Sequence, residues 1–352
     1  MGNNNSSGVV LINLERENSF FFSGEIVTGM VTLNVTNEKL EADEIFIVLT
    51  GEIGYTTKRT VTSSKGHTST RTDYHHVPFY TGKVVFAQPQ PGQKQLILNH
   101  GQYSWPFEIC LGDYLPPTIN APASYPHVRY YLQVVIDKPW YKPNTRETRY
   151  LTVYPRVNLL QNPQCLVPTI FGNHNRKDII LKGTLNKLGY VPGESISISL
   201  EIENPRKVLV KRLELIMLQS YYIGRNQRVT TFFRVILPNI LERIDEQIRE
   251  TFVLTIPSQP IPPSYQFQGG IQRPAIANIH YFFRLEVKVQ GIFADFSVDI
   301  PITIGTEPPP HFNQQQTLNS VFVSYADNPE QTTFEHDTDA PPDYHSITQN
   351  GK

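Results

Sequence analysis

One alternating pattern occurs twice in this chain. Residues 21–37 read FFSGEIVTGMVTLNVTN, and residues 189–205 read GYVPGESISISLEIENP. Setting Gly24-Glu25 over Gly193-Glu194 places Val27, Gly29, Val31 and Leu33 over Ile196, Ile198, Leu200 and Ile202. Apolar residues at every second position suit a strand with one buried face. The correspondence continues in the same order. Ile45, Ile47 and Leu49 answer Leu213, Leu215 and Met217. FEICLGDYLPPT (residues 107–118) answers FVLTIPSQPIPPS (252–264), and VRYYLQVVID (128–137) answers HYFFRLEVKV (280–289). A period of roughly 150 to 170 residues exceeds that of any solenoid repeat and means a duplicated domain.

Each copy reads as seven or eight short strands separated by Gly, Pro and Asn turns, which is a β-sandwich. The LPP and IPP stretches are turns, because proline cannot donate in a central ladder. The predicted fold is therefore all-β, with two tandem immunoglobulin-like sandwiches. Residues 1–8 are expected to be a disordered N-terminus, 9–155 the first sandwich, 156–163 a short linker, 164–306 the second sandwich and 307–352 a tail. NILERIDEQIRET (239–251) has isoleucines at helical spacing, but the repeat places it opposite a strand-and-loop segment, and strand and loop are expected there.

Composition shifts after residue 306. From Glu307 onward there are seven acids and one base, so the tail carries −6 and the rest of the chain +5. Such a tail cannot bury enough apolar surface to offset its ordering entropy, and disorder is expected. Cys110 and Cys165 make neither a zinc pattern nor a disulfide framework, which reads as a reducing compartment. No apolar run reaches membrane-spanning length. Gly2 with Ser6 fits the loose N-myristoylation pattern. GxSxG, HExxH, Walker and dinucleotide-binding signatures are missing from the sequence, so no enzyme, cofactor or metal is expected. The mildly basic body, with aromatics at strand-core spacing, argues against nucleic-acid binding.

The stretches FFSGEIVTGMVTL, EIFIVLTGE, YPHVRYYLQVVID and YVPGESISISLEIEN, with the LPPT and IPPS turns, resemble the arrestin family in its arrestin-domain-containing branch. They span most of residues 9–306. The resemblance implies two arrestin sandwiches and a PPxY-bearing tail. It also implies a cytosolic adaptor, peripheral at plasma membrane and endosomes, that brings HECT-type ubiquitin ligases to receptor or transporter cargo for ubiquitination and endocytosis. An alternative in the same fold is an endosomal sorting scaffold with no ligase role.

Two candidate sites follow. The first is the single full PPxY match, Pro341, Pro342 and Tyr344. Proline presets polyproline II, whose three-residue turn puts Pro341 and Tyr344 on one face, and a WW domain offers an aromatic groove for that face. The nearest other candidate, Pro309-Pro310-His311-Phe312, lacks the tyrosine hydroxyl. The second is the polar stretch 54–80, rich in Ser and Thr and made basic by Lys58, Arg59, Lys65 and Arg71. It is expected to be a long loop, and by its position the resemblance implies contact with the cytoplasmic segments of cargo; a membrane surface is a separate candidate partner of the adaptor. His75-His76 beside Asp73 invites a metal reading, but adjacent strand residues point to opposite faces.

Overall fold

The computed structural model describes residues 8–62, 68–176, 178–291 and 295–307. Eight strands build the first half: β1 (Gly8–Leu14), β2 (Phe20–Phe22), β3 (Ile26–Ala42), β4 (Glu44–Thr62), β5 (Thr68–Ala87), β6 (Leu96–Cys110), β7 (His127–Asp137) and β8 (Thr145–Tyr154). They pair as a three-stranded sheet, β1-β3-β6, facing a five-stranded sheet, β2-β8-β7-β4-β5. Ten strands build the second half: β9 (Thr169–His174), β10 (Ile180–Leu185), β11 (Gly189–Tyr190), β12 (Ser195–Glu203), β13 (Val210–Ile223), β14 (Asn226–Ile236), β15 (Gln247–Thr255), β16 (Tyr265–Gly269), β17 (Ala275–Val289) and β18 (Phe296–Ile304). Here the sheets are β15-β12-β10-β9 and β11-β18-β17-β13-β14, with β16 added to β17. Two short 3-10 turns, Leu159–Gln161 and Pro163–Leu166, connect the halves.

Alternation decides which side chains enter the core. Val27, Val31 and Leu33 are at most 1% exposed, as are Ile196, Ile198 and Ile202. Gly29 interrupts the first series because the Phe107 ring occupies its place. A Cβ there would lie 2.8 Å from the ring and 2.3 Å from the Asn13 carbonyl.

The duplication extends to individual hydrogen bonds. Gly24 and Gly193 turn the chain at φ +80° and +83°, where L side chains are strained. The following glutamate caps that turn in both halves. Glu25 accepts from the Phe22 N–H at 3.1 Å and Glu194 from the Val191 N–H at 3.1 Å. A base pairs with each carboxylate, Arg16 at 2.9 Å with Glu25 and Lys187 with Glu194. Each base also covers the ring of a buried aromatic, Phe21 or Tyr190. Later in each half a buried tyrosine on the central strand donates to the first proline carbonyl of the LPP or IPP turn. These are Tyr130 to Pro116 at 2.5 Å and Tyr281 to Pro262 at 2.6 Å.

Those tyrosines correct the block comparison by one residue. Starting the blocks at Val128 and His280 would set buried Tyr130 against half-buried Phe282. A one-residue slip exchanges the two faces of a strand. The correct pair is Tyr130 with Tyr281.

Within the stretch 54–80, residues 54–62 and 68–80 are likewise strand rather than loop. β4 and β5 pair there from Ile45 with Ala87 to Thr62 with Thr68. Its Thr, Val and Tyr content favours strand despite its polarity, since β-branched and aromatic side chains suit a pleated surface. Residues 239–251 form a loop and then β15. Ile240 and Ile248 are buried while Ile244 is 59% exposed, so no helical face forms.

Candidate functional site

The β4–β5 hairpin crosses from the first half onto the second. Near its middle the Asn226 side chain imitates a strand backbone. Its Oδ1 accepts from the Thr56 N–H at 2.9 Å and its Nδ2 donates to the Thr56 carbonyl at 3.1 Å. Tyr55 stacks on His75 at 4.8 Å and lies against Gly224, where a Cβ would come within 2.2 Å of the ring. On β5, the Ile271 N–H donates to the Pro78 carbonyl at 2.8 Å and Arg273 to the His76 carbonyl at 3.3 Å. Phe79 meets Phe267 edge-on at 5.1 Å.

Beneath this contact lies a buried ionic cluster. Glu52, with a fully buried side chain, receives Arg129 Nη2 at 2.7 Å and His76 Nδ1 at 2.7 Å on one oxygen, with His127 Nε2 at 3.5 Å. The Tyr131 hydroxyl donates to its other oxygen at 3.4 Å. His127 Nδ1 donates to the Ser124 carbonyl at 2.7 Å, which fixes the ring. His76 Nε2 meets the Tyr125 hydroxyl at 2.7 Å, and Arg129 also donates to the Pro122 carbonyl at 2.8 Å. Burial alone pushes the Glu52 carboxyl up. The hydrogen bonds from His127 and His76 and the Arg129 charge outweigh it, and the net pKa lies far below the usual carboxylate range.

Glu52, His76 and His127 bring ligand-type atoms within 4.8 Å of one another. The arrangement fits an ion pair better than a metal. The His76–Glu52 separation is that of a hydrogen bond, and Arg129 already neutralises the carboxylate. A dication would leave uncompensated positive charge in a buried site. His75 and His76 do face opposite sides of β5, His75 onto Tyr55 and His76 onto Glu52. Asp73 instead pairs with Arg59 at 2.9 Å and Arg71 at 3.5 Å.

Of the residues singled out from the sequence, Lys58, Arg59 and Arg71 stand exposed on the outer part of the hairpin, where Arg59 pairs across to Arg71. Arg225, Arg228 and Arg273 of the second half are also exposed. Burial, and after it the charges of Arg273 and Arg225, depress the pKa of His75. Both halves thus contribute cations to one junction. Lys65, Gly2, Pro341, Pro342 and Tyr344 lie outside the described residues. Sequence reasoning missed Glu52, His127 and Arg129. Their separations of 24 to 79 residues from their partners leave no local spacing to detect.

Among the described residues no helix is long and apolar enough to cross a membrane. Comparison with known families matches residues 10–160 to the arrestin (or S-antigen) N-terminal domain and residues 175–309 to the arrestin C-terminal domain. Arrestin domain-containing protein 4 of Homo sapiens is 21% identical over 343 residues, covering 93% of this chain and 78% of that protein. Arrestin domain-containing protein 17 of Caenorhabditis elegans is 24% identical over 314 residues, covering 82% and 68%. Each match falls on one of the two sandwiches, so the chain carries two arrestin domains in tandem and belongs to the arrestin family.

Proposed function

We propose that this protein is an adaptor with two working ends. The arrestin pair binds cytoplasmic segments of membrane receptors or transporters, with the cationic hairpin carrying Lys58, Arg59, Lys65 and Arg71 as a contact surface. The tail recruits the WW domains of a HECT-type ubiquitin ligase through Pro341, Pro342 and Tyr344, and so promotes ubiquitination and endocytosis at plasma membrane and endosomes. Membership of the arrestin family supports an adaptor role. The observation that carries the ligase half is the Pro341-Pro342-Asp343-Tyr344 motif in an acidic tail behind two such domains. Asp337, Asp339 and Asp343 add steering toward a basic groove.

Capture of a HECT-ligase WW array by the full chain, compared with Tyr344→Ala, tests this. Binding is expected to fall at least about tenfold, as expected for losing a buried anchor at a recognition site. Equal capture by both proteins overturns the ligase role. Cargo turnover that survives removal of residues 307–352 would then favour a sorting scaffold.

A further inference from the structure

The turn between β7 and β8 presents the most exposed large apolar side chain among the described residues. Trp140 is 95% exposed and Tyr141 follows at 58%. The turn is firmly built. The Lys142 N–H donates to the Pro139 carbonyl at 2.7 Å. The Asn144 side chain accepts from the Lys138 N–H at 2.8 Å and donates to Asp137 at 2.7 Å. Lys142 reaches across to Glu41 of β3 at 2.8 Å, and Lys39 meets the same carboxylate at 3.0 Å. Pro139 and Pro143 stiffen both shoulders. A braced turn therefore holds two aromatic rings, edge-on at 5.9 Å, out in water.

Three observations point to what covers them. The rings stand exposed on a turn between two strands. A protein partner would need a matching pocket, whereas a bilayer interface accepts a projecting Trp or Tyr at headgroup depth without one. Ile97, 56% exposed, pairs with Glu41 and adds apolar surface beside the turn. Charge is nearly matched at this end, Lys138 and the Lys39–Glu41–Lys142 trio standing against exposed Glu38 and Asp43.

We propose that this end of the first sandwich docks on the lipid bilayer, with Trp140 and Tyr141 entering the headgroup–acyl boundary. The anchoring is aromatic rather than electrostatic, and it does not depend on the ligase reading.

The test uses the full chain carrying Gly2→Ala, so that no acyl chain contributes, with phosphatidylcholine vesicles at low and high salt. The protein has two tryptophans. The other, Trp105, is half-buried between Phe86 and Tyr103, so a change in emission reports Trp140. Expected are a blue shift on adding vesicles, quenching by brominated lipid, and partitioning that salt leaves nearly unchanged. Trp140→Ala should lower partitioning roughly tenfold, as expected for losing one large apolar side chain from an apolar medium. Its urea midpoint should not move, because the side chain packs on little. Trp140→Phe should retain most of the binding. Three results would each overturn the proposal: no spectral shift, equal partitioning of Trp140→Ala, or binding confined to anionic vesicles and abolished by salt. The last would place lipid contact on the cationic hairpin. Loss of ligase or cargo capture by Trp140→Ala without any vesicle binding would also overturn it, assigning the turn to a protein partner.

Discussion

The two halves repeat one another where they pack and diverge where they meet. The Gly-Glu turn, its paired base, the aromatic beneath that base and the tyrosine on the proline carbonyl occur in both. With Tyr130 matched to Tyr281, Glu52 corresponds to Ser220, Arg129 to His280 and His127 to Asn278. The first half thus buries an ion-pair network at positions where the second has a half-buried serine and an exposed histidine. A duplicated scaffold keeps the contacts that close the sandwich. Beside the sister domain it diverges, and there the first half holds Glu52 with His76, His127 and Arg129 of its own sheet.

Substitutions at matched positions can break this comparison. Glu52→Gln leaves the Arg129 guanidinium buried without its carboxylate and should cost about 3 kcal/mol or more in urea unfolding. Ser220→Ala should cost less than about 1 kcal/mol. Similar losses at the two sites would mean that the cluster carries little of the first half's stability. The turn glutamates should behave alike. Glu25→Ala and Glu194→Ala each orphan a backbone N–H and remove a carboxylate from its bases, Arg16 and Arg156 for Glu25 and Lys187 for Glu194, costing about 1 to 2 kcal/mol, with the more buried Glu194 at the upper end. A negligible cost in one half would show that the repeated geometry is not a repeated energy.

The smallest effect is with pH. Glu52 is held well below its ordinary value of 4.5, so near and below pH 4.5 the unfolded chain binds a proton that the folded one does not. Its contribution is therefore complete above that pH and is lost as pH falls further. The fall in stability below pH 4.5 should be shallower in Glu52→Gln. Parallel curves would place the acid-sensitive group elsewhere.

Much of the scaffold was readable because alternation is local. Val27, Val31 and Leu33 announce their strand without any knowledge of partners, and the recurrence of Gly24-Glu25 at Gly193-Glu194 reveals the duplication. The hairpin was misread because its outer part is polar on both faces. Thr57, Lys58 and Thr60 carry no buried stripe there, and cross-strand pairing alone supports them. The one-residue error at Tyr130 has a related cause, since both central strands are apolar on successive residues and parity is hard to read from them. The Glu52 cluster was invisible for a different reason. Its members come from three strands that meet only when the sheet forms.

The clasp between Asn226 and Thr56 also bears on how the chain comes to be folded. Its two partners lie 170 residues apart. During synthesis the first sandwich has all its strands once Tyr154 has been made, well before Gly224, Phe267 or Arg273 exists. Until then Tyr55 and Phe79 lack the surfaces that cover them, and a long hairpin stands with an apolar flank open to water. Exposure of that kind invites association with other nascent chains. Beside that open flank the outer hairpin sets the exposed polar side chains of Lys58, Arg59, Thr60 and Arg71.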